Sequence, residues 1–135
     1  MNTTINILTR RKQSGEQLAD HEDYALLIGN QLSAIINGTE RSDYNEGEDM
    51  TFDEYLDDVL DVEYRSGGDG EYRSVKVAVA LGGPACYLDT DLQAVICAWW
   101  SDTCVCEYGK MFDERAAITE AIDGIFSDLY MLSAA

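Results

Sequence analysis

Apolar residues recur at every second position after Glu71, and this period of two constrains the fold more than any other feature. One side of the alternation carries Val75, Val77, Val79 and Leu81. Such a pattern is typical of a β-strand, in which successive side chains point to opposite faces of a sheet. Gly82-Gly83 then predicts a tight hairpin turn, and Pro84 can open the returning strand where its missing amide is tolerated.

Three more segments continue the sheet. Residues 85–88, 93–100 and 103–108 have strand character, and turns are expected at residues 89–91 and at Ser101-Asp102. Short connections of this kind join neighbouring antiparallel strands. Residues 71–109 are therefore predicted to form a four-stranded antiparallel meander.

Helical spacing precedes and follows this region. Asp20 can cap a helix that ends at Asn37-Gly38, and a long helix is expected over residues 111–133. The apolar positions of the first helix are Tyr24, Leu27, Ile28, Leu32 and Ile35, and those of the last are Ile118, Ile122, Ile125, Leu129 and Leu132. Each set follows the three-and-four spacing of an amphipathic helix that covers one face of a sheet.

Together these elements predict one α+β domain over residues 1–135, in which N-terminal helices and a long C-terminal helix pack on the meander. Residues 1–15 are expected to be a flexible or edge-strand arm, and residues 20–65 a helical acidic region. The chain length is that of a single domain.

Negative charge is concentrated within the acidic region. Residues 43–63 contain ten carboxylates and no basic residue, in a chain whose net charge is -17. We refer to residues 43–63 as the acidic segment. Such a charge repels nucleic acids and anionic membranes, and it attracts proteins that bind nucleic acids.

The second half of the acidic segment is predicted to be a capped helix. Thr51-Phe52-Asp53-Glu54 matches a capping box, in which Thr51 accepts from the Glu54 amide and Glu54 reaches back. An apolar stripe from Phe52 to Leu60 would face inward and the carboxylates outward. On such a helix the acids would follow one another at about 6 Å, which approaches the charge density of a phosphate backbone. The predicted partner-binding residues are Glu46, Glu48, Asp49, Asp53, Glu54, Asp57, Asp58 and Asp61.

A calcium loop is the alternative interpretation of residues 43–54. Asp43, Asn45 and Glu54 match the first, third and twelfth ligand positions, but Glu48 stands where the loop needs glycine. No metal or cofactor is assigned on this basis.

The cysteines and tryptophans of the sheet have several interpretations. A turn at Ser101-Asp102 would place Cys97 opposite Cys106, and buried small apolar side chains are favoured over a zinc site or a disulfide. Trp99 and Trp100 would point to opposite faces of the sheet. Packing of the second ring against the N-terminal helices is favoured over an exposed contact anchor.

Catalysis has little support. The single histidine, His21, stands among acids in a first helical turn, so no catalytic residue is assigned. No apolar stretch is long enough to span a bilayer, and a soluble, intracellular protein is expected.

The small size, the acidity and the helix-and-sheet composition resemble the anti-CRISPR and antirestriction DNA mimics of phages and mobile elements. The stretch from Ala80-Leu81-Gly82-Gly83-Pro84 to Trp99-Trp100 also looks like a hairpin pattern of small phage and plasmid proteins. The resemblance implies a non-enzymatic inhibitor in the host cytoplasm, whose partner is a basic nucleic-acid-binding protein such as a Cas9-type effector or a restriction enzyme. An acidic regulatory or calcium-responsive module is the alternative. Homodimerisation through a sheet edge is a further expectation.

Overall fold

The computed structural model describes residues 2–134, and its elements form an α+β fold, as predicted. In chain order they are β1 (Asn2–Thr4), α1 (Ile5–Gln13), α2 (Asp20–Ile36), α3 (Phe52–Tyr55), β2 (Asp61–Ser66), β3 (Tyr72–Ala80), β4 (Ala85–Asp89), β5 (Ala94–Trp99), β6 (Asp102–Glu107) and α4 (Phe112–Ala134). The long C-terminal helix is confirmed almost to the residue. No helix within residues 2–134 is long and apolar enough to cross a membrane.

The sheet has six strands in the order β1-β6-β5-β4-β3-β2, so the prediction of four strands is wrong in detail. Strands β3 to β6 form the expected antiparallel meander. One edge is extended by β2, antiparallel to β3, and the other by β1, parallel to β6. The arm of residues 1–15 therefore begins as an edge strand, but Ile5–Gln13 is a helix.

The acidic helix predicted from Thr51 ends after one turn. The Thr51 hydroxyl accepts from the Glu54 amide at 3.2 Å, as the capping box predicts, but α3 stops at Tyr55. The chain then turns and pairs with β3 from Asp61 onward. The prediction of a helical region up to residue 65 is wrong because the alternation from Asp61 to Arg65 finds strand partners, and tertiary pairing overrides the short helical pattern.

The β5–β6 register also differs from the prediction. Cys97 lies opposite Cys104 rather than Cys106, because the chain reverses at Trp100-Ser101 instead of Ser101-Asp102. Trp100 adopts a φ of 57° to make this turn. That backbone conformation is uncommon for a bulky residue, and so the sequence favours a turn elsewhere.

Helix α2 has the expected length, but its inward face is rotated relative to the predicted one. Tyr24 and Leu27 are exposed, whereas Leu26 and Gly29 are buried. A Cβ on Gly29 would lie 2.8 Å from the Cδ1 atom of Ile5, so α1 approaches α2 closely at this point. The N-cap is Ala19 rather than Asp20, and the Glu22 carboxylate accepts from the Ala19 amide.

The apolar core lies between the helices and one face of the sheet. Helix α2 covers β5 and β6, while α4 covers β3. Alternate strand residues face these helices: Val75, Val77, Cys86, Leu88, Val95, Cys97, Cys104 and Cys106. The opposite face of the sheet carries Lys76, Tyr87, Ile96 and Val105, which are only half-buried.

A buried ion pair ties β2 to β4 across β3. Asp89 is 1% exposed and accepts from both terminal nitrogens of Arg65, at 2.9 and 2.8 Å. It also accepts from the amides of Asp91 and Leu92. Burial raises the pKa of Asp89, but the hydrogen bonds from Arg65 and the two amides, with the charge of Arg65, outweigh burial and hold that pKa below its ordinary value.

We expect Asp89→Ala to lower the free energy of unfolding by about 3 kcal/mol, because it leaves Arg65 without its carboxylate and two amides without their acceptor. Urea unfolding measures this loss. Because the folded pKa is depressed, the stabilisation is complete above the unfolded pKa of about 3.9 and is lost as the pH falls through the folded pKa.

The stability difference between Asp89→Ala and the unaltered protein should therefore narrow as the pH falls below about 4 and through the depressed pKa of folded Asp89. Asp91→Ala is the matched control, since the exposed Asp91 carboxylate lies 3.3 Å from Arg73 and 4.0 Å from Arg65, without the close paired contact that Asp89 makes with Arg65. Its effect should stay within about 1 kcal/mol. Equal losses in the two variants would contradict this account.

The four cysteines are free and buried. Burial raises the pKa of Cys104 to about 11 and that of Cys106 to about 12. The hydrogen bond with Cys86 and burial both raise the pKa of Cys97. Thiols with a raised pKa are protonated at neutral pH and unreactive, since the thiolate is the nucleophile. The hydrogen bond with Cys97 instead lowers the pKa of Cys86, but this side chain is completely buried and inaccessible to reagents.

We expect the folded protein not to react with a disulfide-exchanging thiol reagent at neutral pH, and all four thiols to react after unfolding in denaturant. Absorbance of the released chromophore measures both reactions. Prompt reaction of any thiol in the native protein would show that the cysteine layer is accessible to solvent.

Candidate acidic binding surface

The acidic segment lies in four backbone settings. Residues 43–50 form a loop after α2, Asp53 and Glu54 lie in α3, and Asp57 and Asp58 lie in the turn that follows it. Asp61 and Glu63 belong to strand β2. The structure therefore does not arrange the predicted binding residues as one ridge on a helix, and their predicted phosphate-like spacing of about 6 Å is lost.

The loop is closed by its own backbone and one ion pair. Arg41 and Asp49 form an isolated antiparallel bridge, and their side chains meet at 2.8 Å. The Met50 amide donates to the Glu40 carbonyl, and the Ser42 amide donates to that of Glu48. These contacts hold Glu46 and Glu48 at the exposed tip of the loop.

Glu54 has a structural role that the sequence pattern does not reveal. Its two carboxylate oxygens accept from the Ser42 hydroxyl and, at 3.1 Å, from the Asp43 amide. Glu54 does not reach back to Thr51, as a complete capping box would require, and instead anchors the loop to α3. The oxygens that would serve as the twelfth-position calcium ligand are thus occupied, and residues 2–134 contain no group of three or more His, Cys, Asp or Glu side chains placed to hold a metal ion.

The other acids of the segment face solvent. Nine of its ten carboxylate residues are exposed, and only Glu54 is half-buried. Within the described residues, Asp49 is the one member that forms an ion pair. The surface consequently presents closely spaced negative charges that attract cations and repel one another.

A groove separates α3 and the following turn from α4. We call it the α3–α4 groove, and its volume is about 920 Å³. Its floor is apolar and includes Leu56, Val59, Val62, Tyr64, Ile125 and Phe126. Four carboxylates line it, Asp53 and Asp57 on one side and Glu120 and Asp128 on α4, and no basic residue does. The groove therefore joins apolar surface to negative charge.

Aromatic packing fixes one part of this floor. The ring of Tyr64 lies against those of Phe126, Tyr72 and Tyr130, with centroids 6.5, 6.4 and 5.3 Å away. The Tyr72 hydroxyl donates to Asp123, and the Tyr130 hydroxyl donates to the Gly70 carbonyl. These contacts attach α4 to the β2–β3 hairpin, so the α4 wall is held against the floor of the groove.

Sequence reasoning identified Asp53 and Asp57 but missed Glu120 and Asp128. The two missed acids lie on a helix whose apolar stripe explains its pattern without reference to binding. Their spacing of eight positions places them on the same side of α4. That spacing is the only local signal, and it does not connect them to α3 without the tertiary structure.

Both tryptophans are exposed, so the prediction that the second ring packs against the N-terminal helices is wrong. Trp100 is 88% exposed at the β5–β6 turn, and Trp99 is 40% exposed. The Trp99 ring lies across Gly83, where a Cβ would come within 1.9 Å of it. Glycine is therefore needed at position 83 for this packing.

Comparison with protein-family models, with curated proteins and with solved structures found no significant match.

We expect the melting temperature to rise between about 0.02 M and about 0.5 M sodium chloride, because salt screens repulsion among the exposed acids. Asp57→Asn, Asp58→Asn and Asp61→Asn together should raise the low-salt melting temperature and reduce its salt dependence. Neutralising Asp69, Glu71 and Asp102 is the matched control, since these acids are exposed but lie outside the acidic segment. Thermal unfolding followed by circular dichroism measures both effects. Equal gains in the two triple variants would show that the acidic segment has no special repulsion.

Proposed function

We propose that the protein is a non-enzymatic inhibitor of a nucleic-acid-binding nuclease of a host defence system, of the anti-CRISPR type that acts on a Cas9-type effector. Its acidic surface would occupy a cationic groove that otherwise holds DNA or RNA. The observation that carries this proposal is the acidic segment, in which nine of ten carboxylates are exposed and one is ion-paired within residues 2–134.

Inhibition requires only that the acidic surface compete with nucleic acid for the cationic groove of the nuclease. A nucleic-acid channel is lined with lysine and arginine, and it gains much of its affinity by neutralising phosphates. Carboxylates held on a folded surface can neutralise the same cations. The mimicry supported by the structure is one of charge along a loop, one helical turn and an edge strand, rather than the regular spacing of a helix.

The eight predicted partner-binding residues contribute differently to such a surface. Glu46, Glu48, Asp58 and Asp61 are exposed and free of ion pairs within the described residues, so they are the strongest candidates for direct contact. Asp53 and Asp57 combine exposure with a position at the α3–α4 groove. Glu54 and Asp49 already have partners and are proposed to shape the loop.

The positions of the single histidine and of the cysteine thiols support a binding role over a catalytic one. His21 lies half-buried in the first turn of α2, and the thiols are in the core. The proposed partner is a basic protein, and direct binding to nucleic acid or a membrane is not proposed, because a net charge of -17 repels both. The proposed site of action is the host cytoplasm.

We expect the combined substitutions Glu48→Lys, Asp58→Lys and Asp61→Lys to abolish capture of the target nuclease and its inhibition, while the fold is retained. The measurement is DNA cleavage by a purified Cas9-type effector, together with pull-down from host lysate at low and high salt. Binding by charge should weaken strongly as the salt concentration rises.

The matched control reverses Asp69, Glu71 and Asp102, which are exposed acids outside the acidic segment. Each triple variant changes the net charge by the same amount, from -17 to -11, because three reversals add six units. The control should inhibit as the unaltered protein does. Unchanged inhibition by the first variant, or equal loss in both, would overturn the proposal that the acidic segment is the contact surface.

A further inference from the structure

The α3–α4 groove has a feature that charge mimicry alone does not need, which is its apolar floor. Leu56 and Phe126 are buried there, but Val62, Tyr64 and Ile125 are only half-buried and Leu129 is 46% exposed. Apolar side chains of a partner could therefore be removed from water at this site. A phosphate-like surface would offer no such contact.

The carboxylates stand on both sides of this floor. Asp53 and Asp57 lie on the α3 side, and Glu120 and Asp128 lie on α4, separated along that helix by about 12 Å. None of the four forms an ion pair or a side-chain hydrogen bond within residues 2–134. Their charges are thus available to a ligand that carries cations on both flanks.

We infer that the α3–α4 groove binds a basic amphipathic helix of the partner protein, with apolar residues on the floor and lysine or arginine on both walls. In a helix, the residues beside an apolar stripe project sideways in both directions. In an extended strand, every second side chain points away from the surface, so cations that alternate with apolar anchors would not reach the walls. The arrangement of charge around the floor therefore favours a helix.

The size of the groove is consistent with this occupant. Two turns of helix, about 11 Å long and about 10 to 12 Å in diameter, fill roughly 1000 Å³. The groove volume is about 920 Å³. A segment of two to three turns would therefore place two or three apolar anchors on the floor.

This inference rests on the proposed function, since it specifies which kind of segment of the basic target the groove would bind. The acidic segment outside the groove would supply long-range attraction, and the groove would supply the apolar contacts that determine specificity. The two roles use different residues: Glu48, Asp58 and Asp61 do not line the groove.

The test uses two labelled synthetic peptides of about 14 residues that contain the same lysines and leucines. In one peptide the leucines follow helical three-and-four spacing, and in the other the same residues are rearranged so that the leucines surround the helix. Fluorescence anisotropy at about 0.15 M salt measures their affinities. The amphipathic peptide should bind at least about tenfold more tightly and gain helical circular dichroism on binding.

Gly124 offers a variant that blocks the groove. It lines the groove on α4, and a Cβ built there meets no atom within 4 Å, so a side chain can begin at this position without a contact at Cβ. Gly124→Trp should weaken binding of the amphipathic peptide at least about tenfold, whereas Gly124→Ala should leave the affinity for this peptide unchanged. Melting temperatures verify that both variants are folded.

A second pair of variants tests the walls. Glu120→Gln with Asp128→Asn should weaken binding, and Asp102→Asn with Asp113→Asn, which removes two exposed acids elsewhere, should not. Equal affinities for the two peptides, full binding by folded Gly124→Trp, or binding without a gain of helix would each overturn the inference. None of these results depends on nuclease inhibition, which the reversal at Glu48, Asp58 and Asp61 tests separately.

Discussion

The apolar layer between one face of the sheet and helices α1, α2 and α4 is the interaction on which the rest of the structure depends. The chain contains 26 acidic residues against nine basic ones, so charge repulsion opposes compaction at neutral pH. Burial of apolar area, at about 25 cal/mol per Å², must offset that repulsion as well as the chain entropy. Alternate strand residues point to one face of the sheet and form the core there, which leaves the acidic side chains on the surface.

Long and regular patterns in the sequence predicted their elements well, and short ones did not. The meander, α2 and α4 follow from alternation and helical spacing sustained over many residues. Residues 51–66 contain two competing signals, a capping box with helical spacing and an alternation from Asp61 to Arg65. Pairing with β3 and the Arg65–Asp89 ion pair decide between them, and neither is visible in the local sequence. The β5–β6 register was missed because Trp100 takes a conformation that its side chain disfavours.

The candidate site also has features that the sequence predicts and features that it does not. The charge of the acidic segment is a property of composition and was predictable, whereas its shape was not. The groove unites α3 with α4 residues such as Glu120 and Asp128, more than 60 positions further along the chain. Such proximity arises from the topology, which places α4 over β3, and from the packing of Tyr64 on β2 against the α4 rings. Glu54 is the opposite case. It resembles a metal ligand in the sequence, but in the structure its carboxylate accepts hydrogen bonds from the Ser42 hydroxyl and the Asp43 amide.

Strand β2 has a consequence for how copies of this protein behave toward one another. It is an edge strand of the sheet, and its free backbone groups could in principle pair with the edge of a second molecule. Asp61 and Glu63 are exposed on it, and two such strands brought side by side would place like charges against each other. The charge proposed to attract a basic partner would thus also oppose self-association through this edge, so at neutral pH colloidal stability and the proposed recognition would depend on the same carboxylates.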